Sequence, residues 1–177
     1  MTRYLLPIAF FAILIPVFVV GLAKDPTVLP STFLGKSAPE FELPLLHEPG
    51  ETISNKTFAD QLVLVNFWAT WCVGCRQEHD FLKQLSANNV IPVYGINWRD
   101  DRDKAIEWLN ELGDPYVMSG FDGGNHTGID WGVYAAPETF LIDASGIVVY
   151  KHLGPLNSYV WQKEFVPRLA AANGATM

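Results

Sequence analysis

The sequence predicts an α/β domain, a central mixed sheet flanked by helices, carried behind an apolar N-terminal segment. Three observations lead there. Twenty consecutive uncharged residues, Tyr4 to Ala23, stand apart from all that follows. Beyond residue 35, apolar strand-like runs alternate with helical periodicities, and a hairpin comes after them. A Cys-x-x-Cys pair, Cys72 and Cys75, falls where a buried strand gives way to a helix.

The N-terminal run is taken first. At about 1.5 Å per residue, twenty residues span the roughly 30 Å hydrocarbon core of a bilayer. Pro7 and Pro16 are tolerated in membrane-crossing helices. Arg3 and the terminal amine favour the cytoplasm, which exports the remainder. The expected division is a transmembrane anchor at 1–23, a Pro-, Ser- and Thr-containing linker at 24–34 and a folded domain at 35–177. A cleaved signal peptide is the second reading, since Gly21-Leu22-Ala23 offers the small residues of a cleavage site. The run is longer than the usual h-region of about 7–15 residues. Both readings export the domain.

The 177 residues suffice for one domain plus this appendage, and 49% hydrophobic with 18% charged residues is a globular composition. The formal net charge is −7, and every acidic residue lies after the apolar run. Such a domain repels a phosphate backbone, so no nucleic-acid partner is expected. The two cysteines are too few for a disulfide framework or a typical structural zinc site. His47, His79, His126 and His152 are scattered without ligand spacing, so no metal site is predicted.

Within the domain, Leu62 to Trp68 is a continuous apolar, β-rich run, the mark of a buried strand. Gly74 to Asn88 reads as a helix with Phe81, Leu82 and Leu85 on one face. Val90 to Ile96 is a second strand. Asp101 to Leu112 is a helix, closed by Gly113. Gly120 to Gly132, rich in Gly and Asp, is expected to be loop. Thr139 to Ile142 and Ile147 to Tyr150 are strands, joined by the turn Asp143-Ala144-Ser145-Gly146. A last helix runs from Ser158 to Ala172.

The strand–CxxC–helix junction carries the chemistry. A thiolate is the nucleophile of disulfide exchange, and an ordinary thiol, with a pKa near ~8.5, is mostly protonated at neutral pH. A helix N-terminus offers unpaired N–H groups and about half a positive charge, which stabilise a thiolate. Cys72 sits where that help is available. Cys75 lies one turn deeper and within reach to close a disulfide. The expected mechanism is attack by Cys72 on a substrate disulfide, then release of reduced substrate as Cys75 attacks the Cys72 sulfur. The pair then serves as its own redox centre, with no cofactor. Half a metal site and a purely structural disulfide are the alternatives, and a four-residue loop constrains an unfolded chain little.

Trp68-Ala69-Thr70-Trp71-Cys72-Val73-Gly74-Cys75 resembles the active site of the thioredoxin superfamily. Gly35 to Phe41 with Leu43-Pro44 resembles the entry of its redoxin branch, in which small strands precede a thioredoxin-like core. Cys75-Arg76-Gln77-Glu78-His79, the segment Gly132 to Phe140 containing Pro137-Glu138-Thr139-Phe140, and the N-terminal anchor together resemble DsbE/CcmG, the thiol:disulfide interchange proteins of bacterial cytochrome c maturation. The resemblance covers about residues 35–172. It implies a thioredoxin-like fold with an N-terminal strand extension and a central insert. It also implies a single-pass protein of the bacterial inner membrane, facing the periplasm. A membrane electron-transfer protein would reduce it. It would in turn reduce the haem-attachment cysteines of apocytochrome c, or a disulfide to a maturation factor.

Carried over residue by residue, Pro137 matches the family's cis-proline beside the disulfide. Trp71, Ala136, Pro137 and Glu138 are then expected to line the substrate groove. Glu78, one helical turn beyond Cys75, matches an acidic residue near the active site, able to tune the thiols or accept a proton from Cys75. Asn66 departs from the pattern, standing where many thioredoxins have a buried acid. Gly74 costs the helix up to ~1 kcal/mol. His79 is expected to pack. Trp98, Phe121, Trp131 and Tyr134, in the long stretch between Cys75 and Pro137, are candidate partner contacts, with core packing the stronger reading for each. The thiol peroxidases of this branch carry Pro and Thr where Val65 and Ala69 stand here, which argues against that activity. A general exported reductase with another partner and a non-catalytic metal or haem chaperone remain as alternatives.

Overall fold

The computed structural model describes residues 2–22 and 33–174. The chain divides into two units, 1–30 and 31–177. In the first, α1 (Thr2–Leu22) is a 21-residue helix containing Pro7 and Pro16. The expected linker at 24–34 falls outside the described residues except for 33–34. Only part of α1 has its side chains described, with Phe10 to Val19 the longest run. Among the described residues no helix is long and apolar enough to cross a membrane. The expected anchor at 1–23 coincides with α1.

The second unit opens with a short antiparallel hairpin, β1 (Glu42–Pro44) and β2 (Thr52–Ser54), followed by a 3-10 turn at Asn55–Phe58. The core elements follow: β3 (Val63–Trp68), α2 (Val73–Ala87), β4 (Val93–Trp98), α3 (Arg102–Leu112), β5 (Ser119–Asp122), α4 (His126–Asp130), β6 (Glu138–Ile142) and β7 (Val148–Leu153). The five core strands form one sheet in the order β5-β4-β3-β6-β7. β3, β4 and β5 run parallel, while β6 and β7 are antiparallel to their neighbours. The mixed sheet of the thioredoxin-like fold is thus present.

Every residue of β3 is buried. Because successive side chains alternate across a sheet, Leu64 and Trp68 join one core with Leu82, Trp108, Leu109 and Phe165. Val63, Val65 and Phe67 join the other with Ile96, Trp131 and Phe140. A strand covered on both faces reads as an unbroken apolar run, which is why it was legible.

Several boundaries differ from expectation, among them the end of β7, which runs to Leu153 rather than Tyr150. The second strand begins at Val93 rather than Val90. The Val90 N–H still bonds Leu85 O, and Asn89 adopts φ 49°, so these residues complete the end of α2. The expected loop over 120–132 instead contains β5 and α4. Gly120 serves close approach there: a Cβ would lie 2.8 Å from Ile53 Cγ2 and 3.2 Å from Leu43 Cβ. Buried Asp122 accepts N–H bonds from His126 and Gly128, which organises the short α4. The C-terminal helix begins with α5 (Ser158–Val160), passes through a π-helical stretch at Trp161–Phe165 and ends with α6 (Val166–Gly174). Pro167 has no N–H for the regular ladder, and its ring crowds the preceding turn, which favours the wider stretch before it.

Candidate active site

Cys72 is the N-cap of α2, with extended backbone at φ −89° and ψ 110°. Its sulfur accepts the Cys75 N–H at 3.0 Å. One unpaired amide of the helix start is therefore directed at that sulfur, where negative charge develops when the disulfide opens. The two cysteines are joined, S–S 2.13 Å, and both are buried. Cys75 is slightly the less exposed, as its deeper place in the helix predicted.

The loop before Cys72 is held by the end of β4. Asp100 accepts the Thr70 N–H at 2.6 Å and the Thr70 hydroxyl at 2.7 Å. The Trp71 indole N–H donates to Arg99 O at 3.0 Å, and its ring lies 5.9 Å from Trp98. Trp71 and Val73 remain 54% and 74% exposed, so the disulfide carries an apolar rim.

Ala136-Pro137 is the cis peptide among the described residues, and Pro137 packs beside α2. A Cβ on Gly74 would lie 2.8 Å from Pro137 Cδ and 3.4 Å from Pro155 Cγ. Gly74 thus permits contact between the helix start and the proline loop, which explains its place despite the propensity cost. Gly74→Ala is expected to destabilise the protein by about 1–3 kcal/mol through overpacking, rather than to stabilise it through helix propensity. Thermal and urea unfolding of the oxidised protein check the sign.

Glu78 is wholly buried. Its Oε1 accepts from Asn66 Nδ2 at 2.9 Å and its Oε2 from the Leu156 N–H at 2.8 Å. Asn66 also donates to Thr139 Oγ1 at 3.0 Å and accepts from the Tyr116 hydroxyl at 2.8 Å. Burial pushes the Glu78 carboxyl up from 4.5 to about 8, against the opposing pull of its two hydrogen bonds. Burial and the nearby Glu78 raise Tyr116 well above its usual range. At neutral pH Glu78 is therefore mostly a carboxylic acid, one helical turn from Cys75. Asn66 occupies the place of the missing acid and directs its amide at the replacement.

Glu138 follows the cis-proline but does not line an open groove. It is fully buried, ion-paired with Lys151 at 2.7 Å, and its Oε1 accepts from Tyr134 N and Ala135 N. A carboxylate in the sheet needs a buried cation and donors, and it turns inward to reach them. Ala136, half-buried, remains beside Pro137. Of the four candidate contact aromatics, Trp98 and Trp131 are core, and Arg102 stacks over half-buried Phe121 at 4.3 Å. Tyr134 alone among the four is largely exposed. His79 is buried as packing: Nε2 donates to Gly113 O at 2.8 Å, the ring meets Trp108 edge-on, and burial lowers its pKa.

Tyr116, Leu156 and Lys151 were not predicted. Each reaches the site from a distant segment, and no local pattern marks it. Among the described residues no three His, Cys, Asp or Glu side chains form a metal-binding group.

The sequence matches the redoxin family over residues 33–164. It is 46% identical over 168 residues to thiol:disulfide interchange protein DsbE of Yersinia pestis, covering 92% of this chain and 89% of that one. It is 47% identical over 169 residues to DsbE of Escherichia coli K12, covering 92% and 91%. Among solved structures, a secreted thiol-disulfide isomerase of Corynebacterium glutamicum superposes with a TM-score of 0.64 at 29% identity, covering 75% and 85%. A disulfide at a helix N-terminus beside a cis-proline is the apparatus of dithiol–disulfide exchange, and the match to these relatives runs through all of it. The chain belongs to the redoxin family, among the DsbE thiol:disulfide interchange proteins, and is a thiol:disulfide oxidoreductase.

Proposed function

We propose that the chain is a periplasmic reductant of cytochrome c maturation, held at the bacterial inner membrane by its N-terminal segment. Its substrates are the haem-attachment cysteines of apocytochrome c, or a disulfide linking them to a maturation factor. A membrane electron-transfer protein returns Cys72 and Cys75 to the dithiol. The observation that carries the reading is the Cys72 sulfur, capping α2 and accepting the Cys75 N–H. The 20-residue uncharged run after Arg3 supports the anchor. Haem attachment at C-x-x-C-H needs free thiols, whereas the periplasm is kept oxidising, and a dedicated reductant resolves that conflict.

Catalysis begins with the dithiol. The Cys72 thiolate attacks one substrate sulfur, and the departing sulfur takes up a proton. Cys75 then gives its proton to the ionised fraction of Glu78, the buried carboxyl on α2, and attacks the Cys72 sulfur, while the second substrate sulfur departs and takes up a proton. The substrate leaves as a dithiol, and the enzyme holds the two-electron oxidised disulfide. Titration of the purified protein in thiol–disulfide buffer, with thiol trapping, tests the direction. A reversible two-electron couple well below the roughly −120 mV of a strong periplasmic oxidant is expected. A couple at or above that potential would mark the protein as an oxidant and overturn the reading.

A further inference from the structure

Lys151, on β7, is directed at the loop that precedes Pro137. Its Nζ lies 2.7 Å from Glu138 Oε2 and donates to Gly132 O at 2.9 Å. The same nitrogen is 5.2 Å from the centre of the Tyr134 ring. Its side chain is only 10% exposed and that of Glu138 not at all. Glu138 Oε1 in turn accepts the N–H groups of Tyr134 and Ala135, at 3.3 and 3.4 Å. One buried ion pair therefore ties three backbone groups of the loop, at Gly132, Tyr134 and Ala135. Ala136-Pro137 follows at once and meets Gly74 at the start of α2.

A buried ion pair recovers its desolvation cost poorly as plain stabilisation, and its better-attested use is to fix one arrangement among several. Here the arrangement fixed is the backbone beside the disulfide. The Tyr134 ring, more than half exposed, is held outward above the cation.

We propose that Lys151 is a positioning residue for polypeptide substrates: with Glu138 it sets the backbone of residues 134–136 so that an extended, disulfide-bearing chain can pair with it next to Cys72. This rests on the reading that the proline loop is where such substrates dock. Lys151 takes no part in the sulfur chemistry. Its contribution belongs to extended substrates and not to small disulfides, which reach the sulfur without the loop.

The test uses the full chain, reduced, in single turnovers against two oxidants. One is hydroxyethyl disulfide. The other is an extended peptide carrying C-x-x-C-H as an intramolecular disulfide. Lys151→Met is expected to lower the ratio of the peptide rate to the small-disulfide rate by about tenfold or more, through weaker peptide saturation. Partial unfolding would depress both rates together and leave the ratio unmoved. The double variant Lys151→Met with Glu138→Gln leaves no unpaired buried charge, so it decides the matter if the single variant does not fold. It is expected to show the same fall in ratio. An unchanged ratio in the double variant overturns the proposal. If the unaltered protein reduces hydroxyethyl disulfide but does not saturate with the peptide, the docking reading itself fails, and the proposal with it.

Discussion

With Cys75 replaced by Ser, steady-state reduction of a disulfide peptide falls by roughly three orders of magnitude, while a covalent adduct on Cys72 accumulates. The reason is the division of labour set by the start of α2. Cys72 caps the helix and keeps its amide donor, so its attack survives. The resolving sulfur, one turn deeper, is gone, and the mixed disulfide has no intramolecular exit. Cys72→Ser is expected to lose turnover to a similar degree without any adduct. Mass spectrometry of the acid-quenched reaction checks both, as one peptide mass added to Cys75→Ser and none to Cys72→Ser.

Glu78→Gln is expected to change two pH profiles together. The carboxyl titrates at about 8 in the folded protein against an ordinary 4.5. Between those values the folded chain holds a proton that the unfolded chain has released, so stability falls as pH rises through that window and is level above it. Each pKa unit corresponds to about 1.4 kcal/mol, so the full decline is on the order of several kcal/mol. Gln cannot ionise, and the variant loses that slope. Gln also sets its own N–H donors against one of the two donors now bonded to Glu78, leaving a buried mismatch worth about 1–3 kcal/mol. The variant is therefore less stable near pH 5 and more stable near pH 9, with a crossing between. Urea unfolding across pH checks it.

The second profile is kinetic. In the unaltered protein, decay of the mixed disulfide accelerates as Glu78 ionises through about pH 8. In Glu78→Gln that decay is slower by about 10²-fold at pH 8, the scale of a positioned proton acceptor. The carboxyl's part in the acceleration disappears from its pH profile. Stopped-flow thiol trapping resolves the step. An unchanged decay would leave Glu78 as a buried hydrogen-bonding group with no part in proton transfer.

Much of this site is local and therefore legible in the sequence. The apolar run of β3, the CxxC beyond it and the helical spacing of Leu82 and Leu85 lie within 25 residues, and each follows from burial and helix geometry. The cis-proline came from the Pro137-Glu138-Thr139-Phe140 segment, and its bond is cis. The role of Gly74 was not legible, because the reason for it is a proline 63 positions away. Nor was the environment of Glu78. Tyr116, Thr139 and Leu156 meet it through Asn66 or directly only once β3, β6 and the turn before α5 come together. Glu138 misled for the same reason. Adjacency to Pro137 suggested a groove, whereas Lys151 on the neighbouring strand draws its carboxylate into the interior. The aromatic residues between Cys75 and Pro137 could not be sorted by sequence into contacts and core, and burial decides it: Trp98 and Trp131 are core, while Tyr134 is exposed.

The assignment of Cys72 as the attacking sulfur is tested most directly by alkylating the reduced protein with limiting iodoacetamide near neutral pH and mapping the label by peptide mass. A thiolate stabilised at the helix start predicts that the label falls on Cys72, with Cys75 modified only after excess reagent or unfolding. Label on Cys75 first, or equally on both, would contradict the account of how this helix divides the work between its two cysteines.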